Sequence, residues 1–218
     1  MDLHVKMPFR SGKSDASQPV LSEDRAQLVQ QMKGGPYYQA ALEGRVFTGN
    51  MAAAGQVLPI YSNTAQKVGI WNPNGSGINV VPIKLSMSYV DTTGAAGGYV
   101  LALVKNAPGD LATGSTMTAF TDGTLNTDIF NALVGSNAGP TARWTPSAAT
   151  VTAPIILRHL SLNQNAFTAA GTGQIPFDNG IKFDGDLIIP PGNAVFVGGN
   201  IATLSKWAVS LTWEEVPT

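Results

Sequence analysis

The chain has 218 residues, 44% of them apolar, and a formal net charge of −1, which allows one ordinary domain with a real core, or such a domain plus an arm. Charged residues make up only 12%, about half the usual share, and the 24 glycines and 14 prolines favour short strands and turns over long helices. The near-zero charge gives no whole-molecule field for nucleic acid or an anionic membrane, and the absence of cysteine excludes disulfides, thiolate catalysis and Cys-based zinc sites.

Charge is concentrated at the start. Residues 1–45 hold Lys6, Arg10, Lys13, Arg25, Lys33 and Arg45 against Asp2, Asp15, Glu23, Asp24 and Glu43, eleven of the 27 charged residues. This step places a domain boundary near residue 45: an N-terminal arm, 1–45, and a body, 46–218. The first twenty residues are polar, show no evident periodicity and no apolar leader run, and read as an extended or disordered arm. Ser22 is placed to cap a short helix over Glu23–Lys33, which Gly34-Gly35-Pro36 would stop. Its apolar stripe, Leu28, Val29 and Met32, is narrow. A helix of about eleven residues is marginal alone and needs a surface to lie on.

From Val46 onward the pattern is β. The longest uncharged stretch, Val46–Gln66, is broken by Gly49, Gly55, Pro59 and several polar residues, so it is not a membrane span. Ile83, Leu85, Met87 and Tyr89 alternate with Lys84, Ser86 and Ser88, and Trp207, Val209, Leu211 and Trp213 with Ala208, Ser210 and Thr212; each predicts a strand with one buried face. Further strands are expected at Val46–Met51, Gln56–Tyr61, Lys67–Trp71, Gly98–Lys105, Thr150–Asn163, Ile181–Ile189 and Ala194–Asn200. The run Asn72-Pro73-Asn74-Gly75-Ser76-Gly77 predicts a tight hairpin connection, and Pro190-Pro191-Gly192-Asn193 another turn. The segment Asn106–Pro146 predicts an elaborate loop with one short helix over Thr127–Val134. Strands of this number without βαβ alternation predict an all-β fold: an antiparallel two-sheet sandwich or jelly roll, preceded by the polar arm and its short helix.

The chemistry-bearing motifs are sparse. The two histidines are His4, in the arm, and His159, in a β-like run; no G-x-S-x-G elbow is present, and nucleophilic catalysis is rejected. No phosphate-binding glycine loop is present, and no cofactor is called for. Asp178, Asp184 and Asp186 cluster in an oxygen-rich segment that Ca²⁺ would suit, but the spacing is not that of an EF-hand, and solvated turn acids beside Lys182 are the simpler reading. The same three acids are the only ones singled out for a carbohydrate-active enzyme. Lys6, Arg10 and Lys13 form a modest basic run, relieved by Asp2 and Asp15 and read first as a solvated tail; as a contact it would suit nucleic acid or, as easily, an acidic protein surface. Trp207 and Trp213 belong to a core or subunit seam. Trp144, following Arg143 in the long loop, is the tryptophan expected at the surface and the one that would serve a glycan platform.

The run Val68-Gly69-Ile70-Trp71-Asn72-Pro73-Asn74-Gly75-Ser76-Gly77, leading into the alternating strand that ends Ser88-Tyr89-Val90, resembles a group of bacteriophage virion proteins with such a turn inside a β-sandwich. The late Ile189-Pro190-Pro191-Gly192-Asn193 turn is similar too. The resemblance spans residue 46 to the end. It implies a jelly-roll cement or decoration protein of a phage head: a structural protein, no enzyme, working as a homotrimer on the major capsid protein, without membrane or nucleic acid. Such a protein is made in the host cytoplasm and located in the virion. The contact residues expected on this reading are Lys6, Arg10, Lys13, Leu28, Met32 and Trp144. The rival expectation is a tail or spike module binding a receptor or glycan through the Asn106–Pro146 loop.

Overall fold

The computed structural model describes residues 20–21, 27–28, 35–91, 94–105, 129–136, 138–145, 149–151, 154–164, 180–202 and 204–218. The chain divides into two compact units, Met1–Gly35 and Pro36–Thr218. In the first, β1 (Val20–Leu21) pairs antiparallel with β2 (Gln27–Leu28), Val20 opposite Leu28. The helix expected over Glu23–Lys33 is therefore corrected at the two residues described there: Gln27 and Leu28 are extended. An eleven-residue helix with a narrow apolar stripe gains too little to outweigh nucleation, whereas strand pairing satisfies the same backbone groups.

The second unit opens with the helix α1 (Tyr38–Leu42). It ends in a Schellman motif: Gly44, at φ +73°, lets the Arg45 N–H donate to Ala40 O (2.9 Å) while its own N–H donates to Ala41 O (3.0 Å). Strands follow as β3 (Val46–Asn50), β4 (Gln56–Val57), β5 (Ala65–Gln66), β6 (Val68–Asn72), β7 (Ile78–Asp91), β8 (Gly97–Lys105), β9 (Ile129–Asn131), β10 (Arg143–Thr145), β11 (Ala149–Thr150), β12 (Ile155–Gln164), β13 (Ile181–Lys182), β14 (Asn193–Gly199) and β15 (Lys206–Pro217). They form an antiparallel two-sheet sandwich. One sheet runs β10-β6-β14-β8-β12, the other β13-β7-β15-β3-β9 with β4 on the start of β15; β5 and β11 form a separate pair.

The chain changes sheets between β6 and β7, between β7 and β8 and again between β14 and β15, whereas β8, β12 and β14 share the five-stranded sheet; the first of these crossings corrects the expected hairpin at 72–77. β6 and β7 belong to different sheets, so the Asn-Pro-Asn-Gly-Ser-Gly run turns a corner of the sandwich. Asn72 holds that corner. Fully buried, it donates from Nδ2 to Ile78 O (2.8 Å) and Ile189 O (2.9 Å), and accepts from Ser76 Oγ at Oδ1 (2.6 Å). Its carbonyl accepts the Gly192 N–H (2.8 Å). The two turn motifs noticed in the sequence are thus tied together through one buried amide.

Other differences have local causes. Ile129–Asn131 is strand, paired with β3, so the expected helix over Thr127–Val134 does not form there. Ile181–Ile189 is strand only at Ile181–Lys182. Asp184 (φ +46°) and Gly185 (φ +83°) turn the chain, the Asp186 N–H donating to Phe183 O (2.9 Å), before Ile189 makes an isolated bridge with Val80; successive positive φ angles at Asp-Gly are those of a type I′ turn. In β7, Trp213 faces Pro82 and Thr212 faces Lys84. Ile83 is the extra residue of a bulge, which reverses the inward phase between Val80 and Leu85.

The core lies between the sheets. Trp213 contacts Phe47 (centroids 6.0 Å apart) and stacks on Trp144 (6.4 Å, 22°), while Trp207 meets Tyr99 (5.4 Å) and Tyr89 (5.7 Å) edge-on. The five-stranded sheet is also buried on its other face, where Val104, Val151, Ala194 and Phe196 cluster with Trp71 against them.

Candidate contact surface

The outer face of the six-stranded sheet is built by strict alternation. Along β15, Trp207, Val209, Leu211, Trp213 and Glu215 are buried, and Lys206, Ala208, Ser210, Thr212 and Glu214 face outward, half-buried. Register sets their neighbours: Ser88 beside Ala208, Ser86 and Asn50 flanking Ser210, Lys84 and Thr48 flanking Thr212. Thr48 and Thr212 share a hydroxyl–hydroxyl hydrogen bond of 2.9 Å. The centre of this face, Thr48, Asn50, Ser86, Ser88, Ala208, Ser210 and Thr212, carries no charge. Charges stand at its margins: Lys206 at one end, Lys84 and Lys182 toward β13, and Glu214 at the other end.

That last margin is an ion-pair network. The Arg45 guanidinium donates from Nε to Glu43 Oε2 (2.8 Å) and from Nη1 to Glu214 Oε1. Hydrogen bonds from Gln39 and then Arg45 hold the Glu43 carboxyl below the ordinary carboxylate range. Glu43, with burial opposing and Glu214 assisting, holds the Arg45 guanidinium more firmly protonated. Burial, followed by the nearby charges of Asp184 and Glu214, raises the Tyr37 phenol. Glu215, one residue on, is buried at 7% exposure and accepts the Thr141 and Ala142 N–H groups (3.0 and 2.8 Å). It fixes the segment that enters β10.

The β9 side of the face is apolar. Phe130, opposite Thr48, is 45% exposed. The turn after it presents Leu133 and Val134, the latter 95% exposed, before Gly135 at φ +90°. Asn131 secures the turn, donating to Gly44 O (2.9 Å) and Ala138 O (3.3 Å) and accepting the Leu133 N–H (2.9 Å). Tyr38 and Leu42 of α1 are each 53% exposed. Sequence reasoning passed over Phe130, Leu133 and Val134 because their run reads as a helix. The signal that could have found them is three large apolar residues within five positions of a Gly/Asn-rich loop.

Trp144 is a correction. Expected at the surface as a contact residue, it is 1% exposed, stacked on Trp213, with Nε1 donating to Asn50 O (2.9 Å). Gly49 makes the room: a Cβ there would lie 2.5 Å from the indole. A glycine inside the strand pattern Val46–Asn50 was the available signal for such a close approach. Lys6, Arg10, Lys13 and Met32 lie outside the described residues; Leu28 lies in β2.

Asp178 also lies outside the described residues. Asp184 is exposed in its turn, and Asp186 is paired with Arg158 (2.9 Å), whose guanidinium sits 5.9 Å over the Phe183 ring. Among the described residues no three His, Asp or Glu are grouped to hold a metal, and no helix is long and apolar enough to cross a membrane. Between the sheets a cavity of about 20 Å³, lined by Ile70, Leu85, Leu101, Trp144 and Phe183, has room for no more than a water-sized molecule. Comparison with known proteins finds no matching family model, no similar curated protein and no similar solved structure.

Proposed function

We propose that the chain is a non-enzymatic structural protein of a bacteriophage particle, a cement or decoration protein that stabilises the head by contacts between subunits. Its partners are copies of itself, in a homotrimer, and the major capsid protein. It is made in the host cytoplasm and resides in the virion. The observation that carries this reading is the charge-free centre of the outer sheet face, with Phe130, Leu133 and Val134 exposed along its β9 side. Interfaces are depleted of charge at their centres and keep charges on the rim, and sparse charge leaves such a face unprotected against association. The composition and the Trp-Asn-Pro turn support the same reading.

Quantitative mass spectrometry of purified phage particles tests it. Decoration predicts a copy number that scales with the capsid lattice. A few copies per particle would transfer the chain to the tail or spike, and absence from particles would overturn the virion reading.

A further inference from the structure

The large apolar side chains left exposed on the second unit are not scattered. Nine are exposed among the described residues, and five of them, Tyr38 and Leu42 of α1 with Phe130, Leu133 and Val134, fall in one region. Tyr38 and Leu42 are four apart and share one side of the helix. Asn131 Nδ2 donates to Gly44 O (2.9 Å) and the Ala132 N–H to Val46 O (2.8 Å), which holds the turn after β9 against the end of α1. Single exposed apolar residues need no explanation, whereas a contiguous patch marks a contact site. Glu43 is exposed in this patch, and it shares the Arg45 guanidinium with Glu214. Two carboxylates against one guanidinium leave the patch acidic.

Three of the other four lie on the opposite side of the sandwich. β13 ends the six-stranded sheet at the end away from β9, and β12 ends the five-stranded sheet. The ion pair of Arg158 with Asp186 (2.9 Å) joins β12 to the turn after β13, so both strands bound the same side. Ile188 is exposed here, as are Ile155 and Leu157 of β12. Lys182 stands directly opposite Lys84 in the β13–β7 ladder. Like charges so placed repel, and neither lysine has an ion-pair partner among the described residues. Lys84 is held in place: a Cβ on Gly180 would lie 2.6 Å from its Cε, so glycine makes room where the lysine passes. Lys84, Lys182 and Arg158 outnumber Asp184 and Asp186, which leaves this side basic.

We infer that copies of the chain associate head to tail, the acidic apolar patch around Val134 of one copy seated on the basic side around Lys182 of the next, with Glu43 facing the two lysines. The occupant is a second copy because one chain carries both halves of the contact: exposed apolar residues on each, opposite charge on each, at opposite ends of one sheet. Glu43 of a neighbour supplies the carboxylate that the Lys84–Lys182 pair lacks in the single chain, and charge matching of this kind fixes the register of a contact. Phe130, opposite Thr48 in the ladder, makes the seat adjoin the charge-free centre of the outer face. A contact between two different patches is heterologous, and it generates a ring when its rotation closes. The inference rests on the assembly reading above and names the surfaces that meet between copies in the trimer.

Sedimentation of full-length variants tests the contact. Val134→Asp, at a 95% exposed site, should weaken self-association about tenfold and leave the urea midpoint unchanged. Glu43→Lys and Lys182→Glu should each weaken it about tenfold, and the two reversals in one chain should restore it. Because the chain lacks cysteine, engineered thiols give a second readout without background. The full-length chain carrying both Val134→Cys and Ile188→Cys, once oxidised, is expected to form covalent species of two and three chains, at about tenfold the yield of either single-thiol chain. Oligomers indifferent to Val134→Asp, or charge reversals that do not rescue each other, overturn this contact and leave assembly standing. A Val134→Cys chain that links to itself as well as the doubly substituted chain does overturns the head-to-tail arrangement, and covalent species that run on past three overturn the closed ring. A wild-type chain that is monomeric at every concentration overturns the assembly reading itself.

Discussion

The two sheets of the sandwich solve the same burial problem differently. In the five-stranded sheet, β14 is buried from Ala194 to Gly199 and β6 and β8 are nearly so, because Phe196, Val104 and Ala194 are covered on the face away from the core. In the six-stranded sheet, β15 alternates without exception from Lys206 to Val216, leaving its outer face to solvent or to a partner. Antiparallel sheets commonly keep one face wet. Here one sheet has both faces occupied within the chain, and the other has a face whose centre lacks the charges that discourage association.

Substitutions on the outer faces test this contrast. Phe196→Ala removes a fully buried ring and should cost about 3–5 kcal/mol, read as a lower urea midpoint; a loss under about 1 kcal/mol would mean that this face is not closed. Asn72→Ala, at the corner joining the sheets, strips partners from Ile78 O and Ile189 O and should cost about 1–3 kcal/mol. Ser210→Arg, at the centre of the open face, should change the stability of the isolated chain by no more than about 0.5 kcal/mol; a larger loss would mean that the chain itself covers that face. The smallest effect is that of Glu43→Gln at the rim. The Glu43 pKa is lowered by folding from 4.5, so its contribution is present above that value and is lost as pH falls through its folded-state value. The variant should therefore melt slightly below the wild type near pH 7 and level with it in acid, below the folded-state value. An equal difference at both ends would exclude the carboxylate as the cause.

The contrast also explains what was legible in the sequence. One-sided burial writes itself as alternation, so the last strand and the polar face opposite its tryptophans could be read directly. Two-sided burial gives continuous apolar runs such as Tyr99–Val104 and Ala194–Val197, which reveal a strand but not which residues face which side. Ile83 looked like part of a regular stripe because a bulge has no sequence period of its own. Trp144 and Ile129 sit on three-residue strands inside a Gly/Thr/Asn-rich stretch, too short for any pattern, and tertiary packing alone placed them. The Asn72–Gly77 run was legible as a turn, but whether a turn joins neighbours in one sheet or crosses between two is decided by long-range pairing. Of the contact surface, the small residues of β15 could be foreseen, and the apolar β9 margin could not.

The central claim is that the open face of the six-stranded sheet is made to be covered by protein. Sedimentation of the full-length wild type beside Ser210→Arg tests it most directly. The account predicts a discrete oligomer for the wild type and a folded chain of lower mass for the variant. A wild type that sediments as a single 22.7 kDa chain at every concentration, or a variant that assembles as well as the wild type, would contradict it.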